Sequence, residues 1–256
     1  MVSTAHREFA IELARASGEL IRSYFARRDL ALDLKTDGTI VTAADRGSEK
    51  VMREMINRQF PEHGIVGEEL GSERPDAEYV WVLDPVDGTV SFASGVPLFG
   101  TLIALKYRGH PTLGIIHQPI LNELVMGDGD STTCNGRPVR CTRTTEIENA
   151  RMLTTSLKSI EVHQNGPAFL TLVRRCKLYR GWGDCYGYLM VATGRADIML
   201  DPIMKEWDVA ALIPVIRGAG GVISDWQGSD PLGANSIVAA ATPELHAQTI
   251  AALNPL

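Results

Sequence analysis

The chain has 256 residues, 45% of them apolar, which suits one large domain or two subdomains around a substantial core. It carries 25 Lys and Arg against 31 Asp and Glu, a formal charge of −6 with no basic stripe, so we do not expect a nucleic-acid partner. Charged side chains interrupt the apolar pattern of the first thirty residues, and no run of about eighteen apolar residues occurs, so we expect a soluble, cytoplasmic protein without a membrane partner.

Two helices are predicted near the start of the chain. Apolar residues recur at three- and four-residue steps from Phe9 to Phe25, which predicts an amphipathic helix. Apolar residues between Val51 and Ile56 predict a second helix, which stops near Pro61. The segment between the two helices is predicted to be a polar loop, with Lys35, Asp37 and Gly38.

The region from Val80 to Asp128 has the pattern of β-strands. The candidate strands have the sequences VWVL, TLIALKY, TLGIIHQ and NELVMGD. Turn signals at Arg108-Gly109 and over 119–122 separate them, which predicts hairpins in an antiparallel or mixed sheet. A short apolar segment before this region, over 64–67, ends in Glu68-Glu69.

Strands and helices alternate after about residue 142. The predicted strands cover 151–155, 196–200, 221–224 and 236–240, and the predicted helices cover 167–176, 185–193, 208–217 and a last segment capped by Thr242. This alternation predicts a layered α/β second half. We therefore expect a mixed α/β fold with an α+β subdomain over 1–142 and an α/β subdomain over 143–256.

Several carboxylates stand where apolar segments end, and each has a structural explanation of its own. Asp84 and Asp87 could be turn formers, because Asp-Pro and Asp-Gly both favour turns. Glu68 with its neighbour Glu69 could belong to a solvated loop, and Asp208 could cap a helix. The three acidic clusters nevertheless all follow apolar segments, at the ends of strands and helices where functional residues often lie. Together they suggest one shared site.

A hard divalent cation such as Mg²⁺ would explain that convergence, because it takes oxygen ligands and is usually held by a few carboxylates. Pro85 stiffens the turn that carries Asp84 and Asp87, so the turn can aim both carboxylates and the Val86 carbonyl at one point. Gly88 then lets the backbone approach a ligand closely. The four cysteines form no C-x-x-C pair, so we do not expect a zinc site.

The motifs around these acids resemble a known family. The segments Gly67-Glu68-Glu69, Asp84-Pro85-Val86-Asp87-Gly88-Thr89 and Trp207-Asp208-Val209-Ala210-Ala211 are similar, in order and spacing, to the three signature segments of the inositol monophosphatase superfamily. The resemblance implies a layered α-β-α-β-α sandwich with two sheets. It also implies Mg²⁺-dependent hydrolysis of phosphate monoesters by direct attack of a water activated by two metal ions, in an enzyme that is commonly a homodimer.

The resemblance also implies a set of metal ligands. Glu68, Asp84 and the Val86 carbonyl would hold one ion, and Asp84, Asp87 and Asp208 would hold a second. We expect two or three Mg²⁺ ions in the active site. Two ions about 3.5–4 Å apart can stabilise both the attacking and the leaving oxygen of an in-line displacement.

Catalytic and phosphate-binding roles follow from the same resemblance. Asp45 and Thr89 resemble the pair that readies the attacking water, and Glu68 belongs to the catalytic set. Asp87 and the backbone N–H groups of Gly88 and Thr89 would contact the phosphate.

The substrate is expected to be a small phosphate ester with a cationic leaving group. The run Gly183-Asp184-Cys185-Tyr186-Gly187-Tyr188 resembles the histidinol-phosphate phosphatase branch, and Asp184 would favour a cation by charge-assisted hydrogen bonding. Asp201 stands where inositol-specific relatives usually carry a substrate-facing Glu. Asp184 could instead cap the helix that starts near Cys185, and the two roles can coexist.

The leading hypothesis from the sequence is thus hydrolysis of L-histidinol phosphate in histidine biosynthesis. One alternative is an inositol or broad sugar-phosphate phosphatase. An alternative of a different class is a phosphate-binding protein that has lost catalysis, although the complete set of expected ligands argues against it.

Overall fold

The computed structural model describes residues 2–27, 32–34 and 40–255. The predicted polar loop with Lys35, Asp37 and Gly38 lies outside these residues. Across the described ranges, no helix combines the length and the apolar character needed to cross a bilayer.

The N-terminal region forms two long helices and a short strand pair. Helix α1 covers Thr4–Tyr24, strands β1 (Leu32–Leu34) and β2 (Ile40–Thr42) pair antiparallel, and helix α2 covers Ala43–Gln59. Helix α2 begins well before the predicted segment because Thr42 and Asp45 form a capping box. The Thr42 hydroxyl accepts the N–H of Ala44, while the Asp45 carboxylate accepts the N–H of Thr42. Asp45 therefore lies in the first turn of a helix.

The predicted hairpins form most of an eight-stranded sheet. Its strands are β3 (Gly64–Gly67), β4 (Gly71–Glu73), β5 (Tyr79–Asp87), β6 (Gly100–Tyr107), β7 (His110–Gln118), β8 (Glu123–Gly127), β9 (Thr132–Cys134) and β10 (Arg137–Pro138). Their spatial order is β10-β9-β8-β7-β6-β5-β3-β4. Strands β3 and β5 run parallel, whereas the other neighbours in this sheet are antiparallel. A short helix that the pattern did not predict, α3 (Thr89–Ala93), follows β5 directly.

The second half forms a five-stranded mixed sheet with helices on both faces. The strands are β11 (Arg151–Leu153), β12 (Leu178–Arg180), β13 (Ile198–Asp201), β14 (Val222–Ser224) and β15 (Ile237–Ala240), in the order β12-β11-β13-β15-β14. The helices are α4 (Leu157–His163), α5 (Gly166–Arg175), α6 (Asp184–Ala192), α7 (Glu206–Val209), α8 (Leu212–Gly218) and α9 (Pro243–Leu253). A 3₁₀ turn, Ile147–Asn149, precedes β11.

The prediction of a single helix over 208–217 is wrong. Two helices, α7 and α8, occupy this region, with Ala210 and Ala211 between them. Pro214 has no N–H to donate to the Ala210 carbonyl, so the hydrogen-bond ladder cannot run through this point. Helix α4 and strand β12 were also not predicted. Both are short, and in α4 only Ile160 is buried.

The elements stack in five layers, so the predicted mixed α/β sandwich with two sheets is confirmed. A first core between α1, α2 and the eight-stranded sheet includes Leu13, Met52 and Trp81. A second core lies between the two sheets around α6 and α8 and includes Val82 and Leu189. Alternation along β5 sends Trp81 and Val82 into different cores. A third core packs α5 and α9 on the outer face of the five-stranded sheet.

The subdomain boundary at residue 142 stays a prediction.

Candidate active site

Two strand ends bring the first acidic residues together. Because β3 and β5 are parallel, their carboxyl ends lie at the same edge of the sheet, with Gly67 beside Leu83. The N–H of Glu68 donates to the Leu83 carbonyl over 3.1 Å, so Glu68 follows β3 next to Asp84. The pairing of β5 with β6 is irregular between Asp84 and Asp87, where the D-P-V-D turn leaves the ladder.

Asp208 joins these acids from the central helical layer. One carboxylate oxygen from each of Asp84, Asp87 and Asp208 lies within 4.8 Å of the others. The N–H of Lys205 donates to the Asp208 carboxylate over 2.6 Å at the start of α7. We call Asp84, Asp87 and Asp208 the acid triad.

The electrostatics of the acid triad suit a cation. Burial, and then repulsion from neighbouring carboxylates, raises the pKa of Asp84 and of Asp87 well above the ordinary value. Burial is also the main reason that the pKa of Asp208 rises to about 7. Oxygen donors held this closely are the ligands of hard divalent ions, so the residues present fit such an ion.

A cavity of about 620 Å³ opens above the acid triad, and we call it the main cavity. Most of the residues expected at the site line it: Glu68, Asp84, Val86, Asp87, Gly88, Thr89, Asp184 and Asp208. Its other walls include Val90, Ser91, Leu98, Thr155, Ser156, Gly181 and Gly183. The sequence-predicted residues thus meet in one place, except for Asp45 and Asp201, which lie just outside this wall.

Asp45 lies behind the cavity wall and is fully buried. Its Oδ1 is 3.4 Å from the Thr89 hydroxyl, which also donates to the Val86 carbonyl over 3.0 Å. The Thr42 N–H donates to the other carboxylate oxygen over 2.9 Å. Burial raises the pKa of Asp45, while the hydrogen bonds from Thr42 oppose that shift.

Gly88 has to be a glycine at this turn. Its φ is +92°, in the left-handed region that residues with a side chain rarely adopt. A Cβ there would lie 2.9 Å from Asp184 Oδ2 and 3.0 Å from the Leu98 carbonyl. The backbone of the D-P-V-D-G-T turn therefore passes directly beneath Asp184.

Asp184 is the first residue of α6 and does not cap that helix, so its interpretation as a cap was wrong. Gly183 holds the cap position without a side chain. The Asp87 carboxylate accepts the N–H of Cys185. Asp87, at the end of β5 in the eight-stranded sheet, thus supplies an acceptor for one of the N–H groups left unpaired at the start of α6. Asp184 has a φ of +51°, and its N–H donates to the Thr155 hydroxyl over 2.7 Å. Burial, followed by repulsion from Asp201, raises its pKa to about 7.

Asp201 lines a second, smaller space beside the main cavity. This acidic side pocket has a volume of about 100 Å³, and its walls include Asp87, Thr155, Ser156, Ser159, Asp184, Asp201 and Asp208. The Asp201 carboxylate is 5% exposed and accepts the Thr155 N–H over 3.1 Å and the Tyr188 hydroxyl over 3.2 Å. Burial raises its pKa to about 6.

Three residues at the site were missed from the sequence. Thr155 contacts both Asp184 and Asp201, Ser91 lies in the wall of the main cavity beside Asp184, and Cys185 donates its N–H to Asp87. The one available signal was the hydroxyl run Thr154-Thr155-Ser156 at the end of a predicted strand, where functional side chains often lie.

Comparisons with known proteins agree with this geometry. The sequence profile of the inositol monophosphatase family matches residues 4–256. A histidinol-phosphatase from Chlorobaculum parvum is 39% identical over 226 residues, covering 88% of this chain and 87% of that protein. A histidinol-phosphatase from Mycobacterium tuberculosis is 34% identical over 252 residues, or 96% of each protein. A solved structure of an inositol monophosphatase from Zymomonas mobilis has a TM-score of 0.87 at 36% identity, covering 98% of this chain and 99% of that one.

Fold, cavity and relatives together define a hydrolase of phosphate monoesters. The chain belongs to the inositol monophosphatase family, whose members are generally metal-dependent. The family resemblance seen in the motifs is thereby confirmed.

Proposed function

We propose that this protein hydrolyses L-histidinol phosphate to L-histidinol and phosphate, a step of histidine biosynthesis, with Mg²⁺ as its cofactor. The observation that carries the proposal is a pair of acids, the half-buried Asp184 and the buried Asp201, in a small pocket directly beside the acid triad. Relatives named histidinol-phosphatases support the same substrate.

The acid triad, Glu68 and the Val86 carbonyl would hold two or three Mg²⁺ ions. When bound, such ions supply the positive charge that a phosphate dianion requires, and they lower the pKa of water. The support for this ligand set is its chemistry: all the donors are oxygens, they line one cavity, and their mutual repulsion calls for a counter-charge.

Thr89 and Asp45 would ready the attacking water. The Thr89 hydroxyl can accept a proton from water while its own proton moves towards Asp45 Oδ1, 3.4 Å away. The Thr42 N–H, which donates to Oδ2, keeps the Asp45 carboxylate turned in this direction.

The phosphate would bind at the turn after β5. The backbone N–H groups of Gly88 and Thr89 lie in the wall of the main cavity, where they can donate to phosphate oxygens. Asp87 would border the phosphate while its carboxylate is fixed by the Cys185 N–H.

The leaving group would extend towards Asp184 and Asp201. L-Histidinol carries an ammonium group, and two carboxylates shielded from solvent, wholly at Asp201 and in part at Asp184, favour such a cation over a neutral polyol. A neutral substrate would leave both acids without a counter-charge, which costs free energy in a buried pocket.

Turnover of two esters by the Asp184→Asn variant tests this assignment. We expect kcat/KM for L-histidinol phosphate to fall at least about tenfold, because a charge-assisted hydrogen bond is lost, and to fall less for inositol 1-phosphate. Phosphate release would be measured for both esters with Mg²⁺ and with a chelator. Asp76→Asn, at an exposed position away from the cavity, is the matched control and should behave like the wild type.

Three outcomes would contradict the proposal. Comparable or faster hydrolysis of inositol 1-phosphate by the wild type would favour an inositol phosphatase. Equal losses on both esters in Asp184→Asn would remove Asp184 from substrate selection. Binding of Mg²⁺ and phosphate without phosphate release from any ester would indicate a phosphate-binding protein.

A further inference from the structure

Thr155 lies between the two acids of the side pocket and contacts both of them. It follows β11, whereas Asp184 begins α6 and Asp201 ends β13, so three separate segments meet at one residue. We propose that Thr155 is a positioning residue that sets the preference for cationic leaving groups by holding Asp184 and Asp201 in one fixed arrangement. This inference rests on the function proposed above.

On one side, Thr155 orients the Asp201 carboxylate. Its backbone N–H donates to Asp201 Oδ1 over 3.1 Å. The Tyr188 hydroxyl donates to Oδ2 over 3.2 Å. Hydrogen bonds from two directions leave the Asp201 side chain little freedom to rotate.

On the other side, Thr155 fixes the backbone of Asp184. The Asp184 N–H donates to the Thr155 hydroxyl over 2.7 Å. At a φ of +51° this backbone adopts a conformation that costs free energy for a residue with a side chain, so it persists only where its surroundings hold it. The hydroxyl of Thr155 is one of the groups that do so, and the Cys185 N–H bound to Asp87 is another.

Gly183 shows how closely the two segments approach. A Cβ on Gly183 would lie 2.2 Å from the Thr155 Cα and 2.3 Å from its hydroxyl oxygen, a distance that no side chain permits. The loop before α6 therefore rests directly on Thr155, and a shift at Thr155 is passed on to Asp184.

The Thr155 hydroxyl is the group that holds the Asp184 backbone, because it accepts the Asp184 N–H. Valine has the same shape but cannot accept this hydrogen bond, whereas serine can. The neighbouring Thr154, unlike the exposed Thr155, is fully buried, and its hydroxyl has no hydrogen-bond partner within the part of the chain that the structure describes. Thr154→Val is therefore a matched control for Thr155→Val.

The test compares kcat and KM of Thr155→Val, Thr155→Ser and Thr154→Val on L-histidinol phosphate and inositol 1-phosphate. We expect Thr155→Val to raise KM for L-histidinol phosphate at least about tenfold, because the hydrogen bond that holds the Asp184 backbone is lost and its carboxylate moves, with a smaller change on the neutral ester. Thr155→Ser should retain the wild-type ratio of kcat/KM between the two esters, and so should Thr154→Val.

A crystal structure of Thr155→Val separates this inference from the proposed function. We expect Asp184 to leave its left-handed conformation or its carboxylate to move relative to Asp201. If the wild type prefers inositol 1-phosphate, the proposed function fails, and the position of Asp184 in the variant still decides the inference. If the wild type prefers L-histidinol phosphate but Thr155→Val keeps both the ratio and the position of Asp184, the inference alone is overturned. Should Thr155→Val not fold, Thr155→Ala is expected to give the same shift in ratio, and an unchanged ratio would overturn the inference.

Discussion

At the scale of single residues, Glu49 shows how a side chain outside the cavity fixes the position of the acids that line it. Its carboxylate is fully buried in α2, pairs with Arg53 over 2.8 Å, and accepts the backbone N–H groups of Glu69 and Leu70. These two N–H groups belong to the turn that directly follows Glu68. The turn that presents Glu68 to the cavity is therefore tied to a helix, and not to the sheet alone.

Replacing Glu49 by alanine is expected to lower the free energy of unfolding by about 3–5 kcal/mol. The change leaves Arg53 without one of its buried partners and two backbone N–H groups without an acceptor. Urea denaturation measures the effect. Glu54→Ala serves as the control, because Glu54 is an exposed residue of the same helix, and it should change stability by less than about 0.5 kcal/mol. Similar losses of stability in the two variants would show that the buried network around Glu49 stabilises the protein no more than an exposed ion pair does.

At the scale of elements, the break between α7 and α8 determines where Asp208 lies. The chain at Ala211 approaches the eight-stranded sheet so closely that a Cβ on Gly114 of β7 would lie 2.1 Å from the Ala211 carbonyl oxygen. A Gly114 side chain would also meet the ring of Pro214 in the first turn of α8, the residue whose missing N–H interrupts the hydrogen-bond ladder. Helix α7 can thus carry Asp208 to the end of β5 because one strand offers a position without a side chain.

Gly114→Ala is expected to destabilise the protein by about 1–3 kcal/mol, because the added methyl group must push the helical segment away from the sheet. Since Asp208 lies on that segment, the Mg²⁺ concentration that gives half-maximal phosphate release should rise as well. Thermal unfolding and a Mg²⁺ titration of activity measure the two effects. His110→Ala, at an exposed position of the same strand, is the control. A variant with wild-type stability and Mg²⁺ response would mean that this contact does not set the position of Asp208.

The sequence predicts the elements whose signal is local and misses the contacts that depend on distant segments. The alternating strands, the D-P-V-D-G-T turn and the three acidic segments are visible because each lies within a few neighbouring residues. The break at Pro214 was also local, but the apolar run on either side concealed it. Thr155 could not be recognised, because its partners lie 29 and 46 positions further along the chain and only the packed fold brings them together. The role of Asp87 at the start of α6 was hidden for the same reason.

At the scale of the whole molecule, buried histidines make stability depend on pH. His117 is 3% exposed, and α1 packs on its ring so closely that a Cβ on Gly18 would lie 2.5 Å from it. Burial lowers the pKa of His117 to about 4, and it lowers the pKa of His63 to about 4 as well, with a smaller contribution from nearby His6. As the pH falls, the unfolded chain binds protons on these rings near pH 6.5, the ordinary pKa of histidine, whereas the folded protein binds them only near pH 4.

The stabilising contribution of the neutral His117 ring, about 3 kcal/mol, should therefore be fully present above pH 6.5 and be lost as the pH drops towards 4. Urea denaturation at a series of pH values measures the slope. His117→Gln removes the titrating ring and should flatten that slope, whereas His163→Gln, at an exposed position, should leave it unchanged. An unaltered slope in His117→Gln would show that this ring does not determine the acid sensitivity.

The acid triad spans a large part of the chain, since Asp208 comes more than a hundred residues after Asp84 and Asp87. During synthesis, the strand that carries the first two acids leaves the ribosome long before the helix that carries the third. The nascent protein must accordingly bury its first acids before Asp208 is available. Under the proposed assignment of these acids as metal ligands, ion binding would be a late event that stabilises a finished architecture and does not direct the chain towards it.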